Sequence, residues 1–142
     1  MASEARLYTF SPETRDALRK FRLQTSRHKD PQAIIYKIDR KSLEILPDDD
    51  GEIYTTLETL AEELPDNTPR FVLLSYPLDL KSGRRAAPYV LLYYMPPTAN
   101  NELRMLYAGA KELMRNTAEV GRVVEVAGEE DVVGVKEVLM EN

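Results

Sequence analysis

Two apolar runs constrain this chain more than anything else in it: RFVLLSYPLDL from Arg70 and APYVLLYYM from Ala87, joined through Lys81-Ser82-Gly83-Arg84-Arg85. Neither run alternates apolar with polar, as a strand with one wet face would, so both are expected at the centre of a sheet covered on both sides. Both are also far short of the roughly 20 residues that a membrane-spanning helix needs. Whatever else the chain does, it must supply two covers for one sheet.

The flanking sequence supplies them. Ser11-Pro12-Glu13 reads as a helix start, with a serine cap, a proline at the first helical position and an acid at the positive helix end; the helix is expected to run to about Thr25. QAIIYKIDRKSLEIL carries two strands turning around Asp39, Arg40 and Lys41, and DDDG at Asp48–Gly51 reads as a further turn. A short helix is expected from about Thr55 to Glu63, stopped by Pro65, and a long one that Pro96-Pro97-Thr98 leads into and that ends near Asn116. RVVEVA follows as a last strand and EEDVVGVKEVLM as a terminal helix. The order predicts an α/β domain, a mixed sheet with helices packed on it, spanning residues 1–142 as one unit.

Composition narrows the function classes. The absence of cysteine excludes disulfides, thiolate catalysis and cysteine-based zinc sites. A net charge of −5 speaks against general nucleic-acid binding, which needs a positive field. Neither a spanning segment nor a secretory leader is recognisable, so the expectation is a cytoplasmic protein with no membrane association.

Catalytic patterns are thin. His28, the only histidine, sits in the polar segment SRHKD and reads as a solvated loop residue. Asp48-Asp49-Asp50-Gly51 lacks the alternating ligand spacing of a calcium loop, and Glu129, Glu130 and Asp131 are explained by a helix start. No GxSxG elbow or phosphate-binding glycine loop is present. No cofactor and no metal are expected.

The cations carry more information. In LRMLYAGAKELMRN, at about 100° per residue, Leu103, Leu106, Tyr107, Ala110, Leu113, Met114 and Thr117 share one sector, the expected core face. The opposite side is expected to gather Arg104, Ala108, Lys111 and Arg115, flanked by Asn101, Met105 and Glu112. A methionine outside the core sector, beside a small alanine and several cations, suits a docking surface. On the first helix Arg15, Arg19 and Arg22 form a second row, and Arg84 and Arg85 a third basic site.

LRKFR (18–22), AIIYKID (33–39), ELPDNTPRF (63–71), SY (75–76) and MLYAGAKELMRNTAEVGRVVEV (105–126) together resemble glia maturation factor, a branch of the actin-depolymerising-factor/cofilin homology family. The resemblance is collinear over nearly the whole chain. It implies the fold of that family and a non-catalytic protein that binds the actin-related protein 2/3 complex, inhibits branched nucleation and promotes debranching, with weak or no direct binding to actin. It places the protein in the cytoplasm at branched actin networks such as cortical patches, with the nucleus a second location, and as a monomer. By position it implicates Ser3, Glu4, Arg104, Met105, Ala108, Lys111 and Arg115 in docking, with Met105 the apolar anchor. Arg19, Arg22, Arg84 and Arg85 would form a second face. Cofilins commonly carry a lysine pair before the methionine of the long helix, where this chain reads Glu102-Leu103-Arg104, a departure that weakens the actin-filament alternative. Ser3 is a candidate phosphate acceptor.

Overall fold

The computed structural model describes residues 7–24 and 28–140; the candidate residues Ser3 and Glu4 lie outside them. Helix α1 (Pro12–Gln24) begins as the sequence requires, with Ser11 Oγ accepting the Thr14 amide at 3.0 Å. Strand β1 (Gln32–Ile38) pairs antiparallel along one edge with β2 (Ile45–Pro47) and β3 (Ile53–Tyr54). Helix α2 (Leu57–Glu63) is capped by Thr56, whose hydroxyl accepts the Thr59 amide.

The two apolar runs form β4 (Arg70–Ser75) and β7 (Tyr89–Tyr94), and between them the chain makes a separate two-stranded ribbon, β5 (Leu78–Asp79) with β6 (Arg85–Ala86). The long helix α3 (Asn101–Ala118) is followed by β8 (Arg122–Val126), α4 (Glu129–Val133) and α5 (Val135–Met140). In the sheet order β2-β1-β4-β7-β8, β4 pairs antiparallel with both β1 and β7 while β7 and β8 pair parallel. The sheet is therefore mixed, with β4 and β7 inside it and helices on both faces, as the sequence predicts.

Each face has its own core. Leu18 and Phe21 of α1 and Leu103, Leu106, Tyr107, Ala110 and Met114 of α3 cover Ile34, Tyr36, Phe71, Leu73, Leu91 and Tyr93. On the other side α2, α4 and α5 cover Ile35, Val72, Leu74, Val90 and Leu92. Alternate residues of each central strand thus enter opposite cores, which is why both runs are almost wholly apolar, with Ser75 at the end of β4 the buried exception. The Tyr36 hydroxyl, fully buried, finds no hydrogen-bond partner among the described residues, and burial pushes its pKa up to about 12.

Four expectations need correction. The long helix continues two residues past Asn116, so Ala118 is buried while Thr117 is only half-buried. The terminal helix is broken at Gly134 into α4 and α5. The short helix starts at Leu57, not Thr55, because Thr56 is spent as its cap. The connection around Lys81–Arg85 is longer than a strand turn, because the ribbon is inserted within it.

Candidate partner-binding site

At the start of α3, Asn100 caps the helix by accepting the Leu103 amide at 2.9 Å. Arg104 then folds back over the loop that delivers the chain from β7. Its Nε donates to the Ala99 carbonyl at 3.0 Å, and its Nη2 to the carbonyls of Pro97 at 2.9 Å and Pro96 at 3.3 Å. One guanidinium meets three loop carbonyls, of which that of Pro96 also accepts the Ala99 amide at 3.0 Å while no other donor reaches those of Pro97 and Ala99 among the described residues. Arg104 is thus a clasp, with its charge still near the surface.

The next residue points away from all of this. Met105 is 64% exposed, and Ala108 and Gly109 beside it on the outer surface are exposed too. Tyr8 crosses the helix here, donating its hydroxyl to the Leu106 carbonyl at 2.7 Å. A Cβ on Gly109 would stand 2.7 Å from that hydroxyl oxygen, so the glycine is what lets Tyr8 lie across the helix. Leu7, 78% exposed, precedes it. The outcome is an apolar patch, Met105 over a smooth stretch of helix, bordered by an N-terminal segment held in place by Tyr8.

The cation row does not lie opposite the core, as the wheel suggests; it lies along the flank. Lys111 and Arg115 keep only 34% and 32% of their side-chain surface, and Arg104 is half-buried too. Counting 100° per residue from the observed core centre, these three sit at its margin, and Met105 and Glu112 face outward. Lys111 lies 5.0 Å over the Tyr93 ring and 3.8 Å from Glu125. Arg115 pairs with Glu112 and donates to the Val120 carbonyl at 3.4 Å. The Arg115 pairing holds Glu112 below the usual carboxylate range and raises Arg115. Glu102 is bound by Arg40 from the turn between β1 and β2.

The second set of cations lies at the other end. Arg22 meets Glu119 at 3.5 Å, where Glu119 closes α3 in a left-handed conformation (φ 57°). Arg15 sits 5.2 Å over the Phe10 ring, and Arg19 is exposed with no side-chain partner among the described residues. These arginines and residues 116–119 border a groove of about 440 Å³. Arg84 and Arg85 stand on the ribbon, Arg85 paired with Asp79 at 3.1 Å and Arg84 exposed. The ribbon is rooted by Leu78 and Leu80 in the core that α1 does not touch. So the last turns of α1, where Phe21 meets Tyr89, and the ribbon lie toward the same end of the sheet, that of Gln32, Ser75 and Tyr89, but are anchored on opposite faces. The clasped start of α3 lies at the other end.

Two contributors were missed in the sequence. Tyr8 gave no sign of a role, but a glycine inside a long helix costs about 1 kcal/mol against alanine and could have been flagged as a place of close approach. Asp48, set aside as a solvated turn acid, is instead held by Arg70 at 2.9 Å and Lys37 at 3.6 Å. Burial opposes its ionisation, but these cations outweigh it and hold its carboxyl below the ordinary value.

Comparison with known proteins agrees with this architecture. The family described as cofilin/tropomyosin-type actin-binding protein matches residues 7–139. The chain therefore belongs to the actin-depolymerising-factor/cofilin homology family. Within it, the chain is 41% identical over 138 residues to Protein AIM7 of Saccharomyces cerevisiae, covering 92% of this chain and 93% of that one. It is 35% identical over 117 residues to glia maturation factor beta of Mus musculus, covering 82% and 80%. Among solved structures, glia maturation factor from Caenorhabditis elegans superposes with a TM-score of 0.74 at 31% identity, covering 92% and 93%. Streptomyces griseoflavus cofilin, at 17% identity and a TM-score of 0.73, shares the fold. Glia maturation factor relatives and this fold together support an actin-regulating role of that type.

Proposed function

We propose that this protein binds the actin-related protein 2/3 complex, inhibits nucleation of branched filaments and promotes loss of existing branches, without catalysis and with little affinity for actin alone. The observation that carries the reading is Met105: a large apolar side chain, 64% exposed, on the outward line of α3 and framed by Tyr8, Ala108 and the Arg104 clasp. A buried-in-waiting apolar anchor ringed by polar groups is the usual centre of a protein interface. In this reading Ser3, Glu4, Met105, Ala108, Lys111 and Arg115 dock into the cleft at the barbed end of an actin-related subunit, and Arg104 shapes the edge it presents. The first actin of a daughter filament needs the same cleft, so one contact accounts for both inhibition and debranching.

Arg19, Arg22, Arg84 and Arg85 belong to a second contact. From Arg104 to Glu119 along α3 is about 22 Å at 1.5 Å per residue, so one molecule can reach two neighbouring protein surfaces. The protein acts as a monomer at cytoplasmic branched networks, with residues 1–142 as one domain.

The test is binding to purified complex and to actin filaments side by side. Met105→Ala should weaken binding to the complex by about tenfold or more, as truncation of an interface anchor does, with the melting temperature unchanged. Equal affinity of the variant and the parent would remove Met105 from the interface. Cofilin-like filament binding is the second reading, favoured by the actin-binding description of the family; co-sedimentation with filaments but not the complex would select it.

A further inference from the structure

Among the described serines, Ser11 is spent as the cap of α1 and Ser75 is buried. Ser42 is exposed beside Arg40 and Lys41, but its turn is closed by the Asp39 carboxylate, which accepts the amides of Lys41 and Ser42 at 2.9 and 3.1 Å. That turn is also tied into the sheet through Asp39, Glu44, Thr9 and Leu43. A phosphate on Ser42 would face Asp39, and opening the turn would disturb β1 and β2.

Ser82 differs on each count. It lies exposed at the tip of the β5–β6 ribbon, between Lys81 and Gly83, with Arg84 and Arg85 two and three residues further on. Its Oγ has only a long 3.4 Å contact, from the Arg84 amide. The ribbon has two paired rungs, Leu78 with Ala86 and Asp79 with Arg85, and its tip is closed by Leu80 N–H to Arg84 O at 2.8 Å and Gly83 N–H to Leu80 O at 2.9 Å. Two-stranded ribbons this short are marginal alone, and this one lies outside the main sheet. The tip can therefore open to the extended form a kinase groove accepts while both cores stay intact. Gly83, at φ 87° with nothing near its Cβ position, leaves the space beside Ser82 clear.

We infer that Ser82 is a phosphate acceptor for a serine kinase that reads arginines on the carboxyl side of its target, and that the modification cancels the positive charge of the ribbon tip. In the step, Ser82 Oγ attacks the γ-phosphorus of kinase-bound ATP, the bond from that phosphorus to the β,γ-bridging oxygen breaks, ADP leaves, and the hydroxyl proton passes to the kinase's carboxylate base. Arg84 and Arg85 serve as the recognition forks for acidic side chains of the kinase. Afterwards about two negative charges stand among Lys81, Arg84 and Arg85, where Asp79 already offsets one cation. The acceptor role stands on the ribbon alone; the consequence for binding rests on the proposed second contact.

The experiment incubates the full chain with ATP and a purified serine kinase of carboxyl-side arginine preference, then locates phosphate by fragment mass. Expected are phosphate on Ser82, its loss from that position in Ser82→Ala, and a rate at Ser82 at least about tenfold lower in an Arg84→Ala/Arg85→Ala variant that melts like the parent. The phosphorylated chain should then bind the actin-related protein 2/3 complex more weakly and with less salt dependence than the unmodified chain. Phosphate on Ser42 instead, none at all, or an unchanged rate in the double variant would overturn the acceptor role, and unchanged affinity after phosphorylation would overturn its consequence for binding. Failure of the unmodified chain to bind the complex would overturn the binding consequence together with the proposed function, whereas the mass measurement judges the acceptor role separately.

Discussion

The cations of α3 and those of α1 and the ribbon look interchangeable in sequence, yet the fold uses them differently. Arg104, Lys111 and Arg115 are half-buried and engaged: carbonyls hold the first, an aromatic ring the second, a glutamate and a carbonyl the third. On α1 and the ribbon, Arg15, Arg22 and Arg85 are engaged as well, by the Phe10 ring, Glu119 and Asp79, but Arg19 and Arg84 are exposed with no side-chain partner among the described residues. A row of like charges on a helix is therefore two kinds of object. Where it borders the core, the long side chains lie down and fasten neighbouring backbone; where it points out, they remain available to another molecule.

The largest expected effect breaks this comparison directly. Arg104→Ala leaves the carbonyls of Pro97 and Ala99 without their donor, Pro96 keeping the Ala99 amide, and should cost about 2 kcal/mol, in the range for hydrogen bonds to a charged group. Arg19→Ala should stay within about 0.5 kcal/mol, as for other exposed sites. Denaturant unfolding of the two variants measures both, and equal midpoints would show that Arg104 is no clasp.

A second test separates holding from docking. Gly109→Ala should gain about 1 kcal/mol of helix propensity and lose about as much when the Tyr8 hydroxyl is pushed off Leu106, leaving stability nearly unchanged. Hydrogen exchange around Tyr8 should rise and binding to the complex should fall. A protected Tyr8 in the variant would show that the helix bends to accommodate the methyl group.

Acid gives a smaller signal. The Asp48 carboxyl titrates lower in the folded chain than its ordinary value of about 3.9, so its contribution is complete above that pH and fades as pH falls through the folded value. Asp48→Asn should therefore reduce the difference in stability between neutral and acid solution, read from melting temperatures; an unchanged acid limb would discount the Arg70 and Lys37 contacts. The smallest effect is expected from Glu112→Gln: the exposed Glu112 carboxylate pairs with Arg115, and its loss should leave unfolding midpoints unmoved at physiological salt.

Much of the architecture could be read from order and periodicity. The unbroken apolar character of β4 and β7 announced a sheet with two covers, Ser11-Pro12 marked the start of α1, and Val, Ile and Tyr in QAIIYKI marked β1. The inserted ribbon could not be read, because two-residue strands carry no period to detect. Nor could the break at Gly134, since a glycine inside an apolar helical pattern is compatible with continuation. At the candidate site the sequence singled out Met105, and the structure exposes it; the same wheel placed Arg104, Lys111 and Arg115 too far round.

What the amino-acid sequence determined by itself is therefore what depends on neighbours along the chain: strand and helix periods, caps, the absence of thiol chemistry, and the outward direction of Met105. What only the tertiary structure decided is which charges are already taken. Tyr8 and Gly109 lie 101 residues apart yet meet, Arg40 reaches Glu102, and Arg22 reaches Glu119. Partners so distant in the chain leave no local pattern, because it is the packing of α3 against α1, the segment before α1 and the β1–β2 turn that brings them within reach.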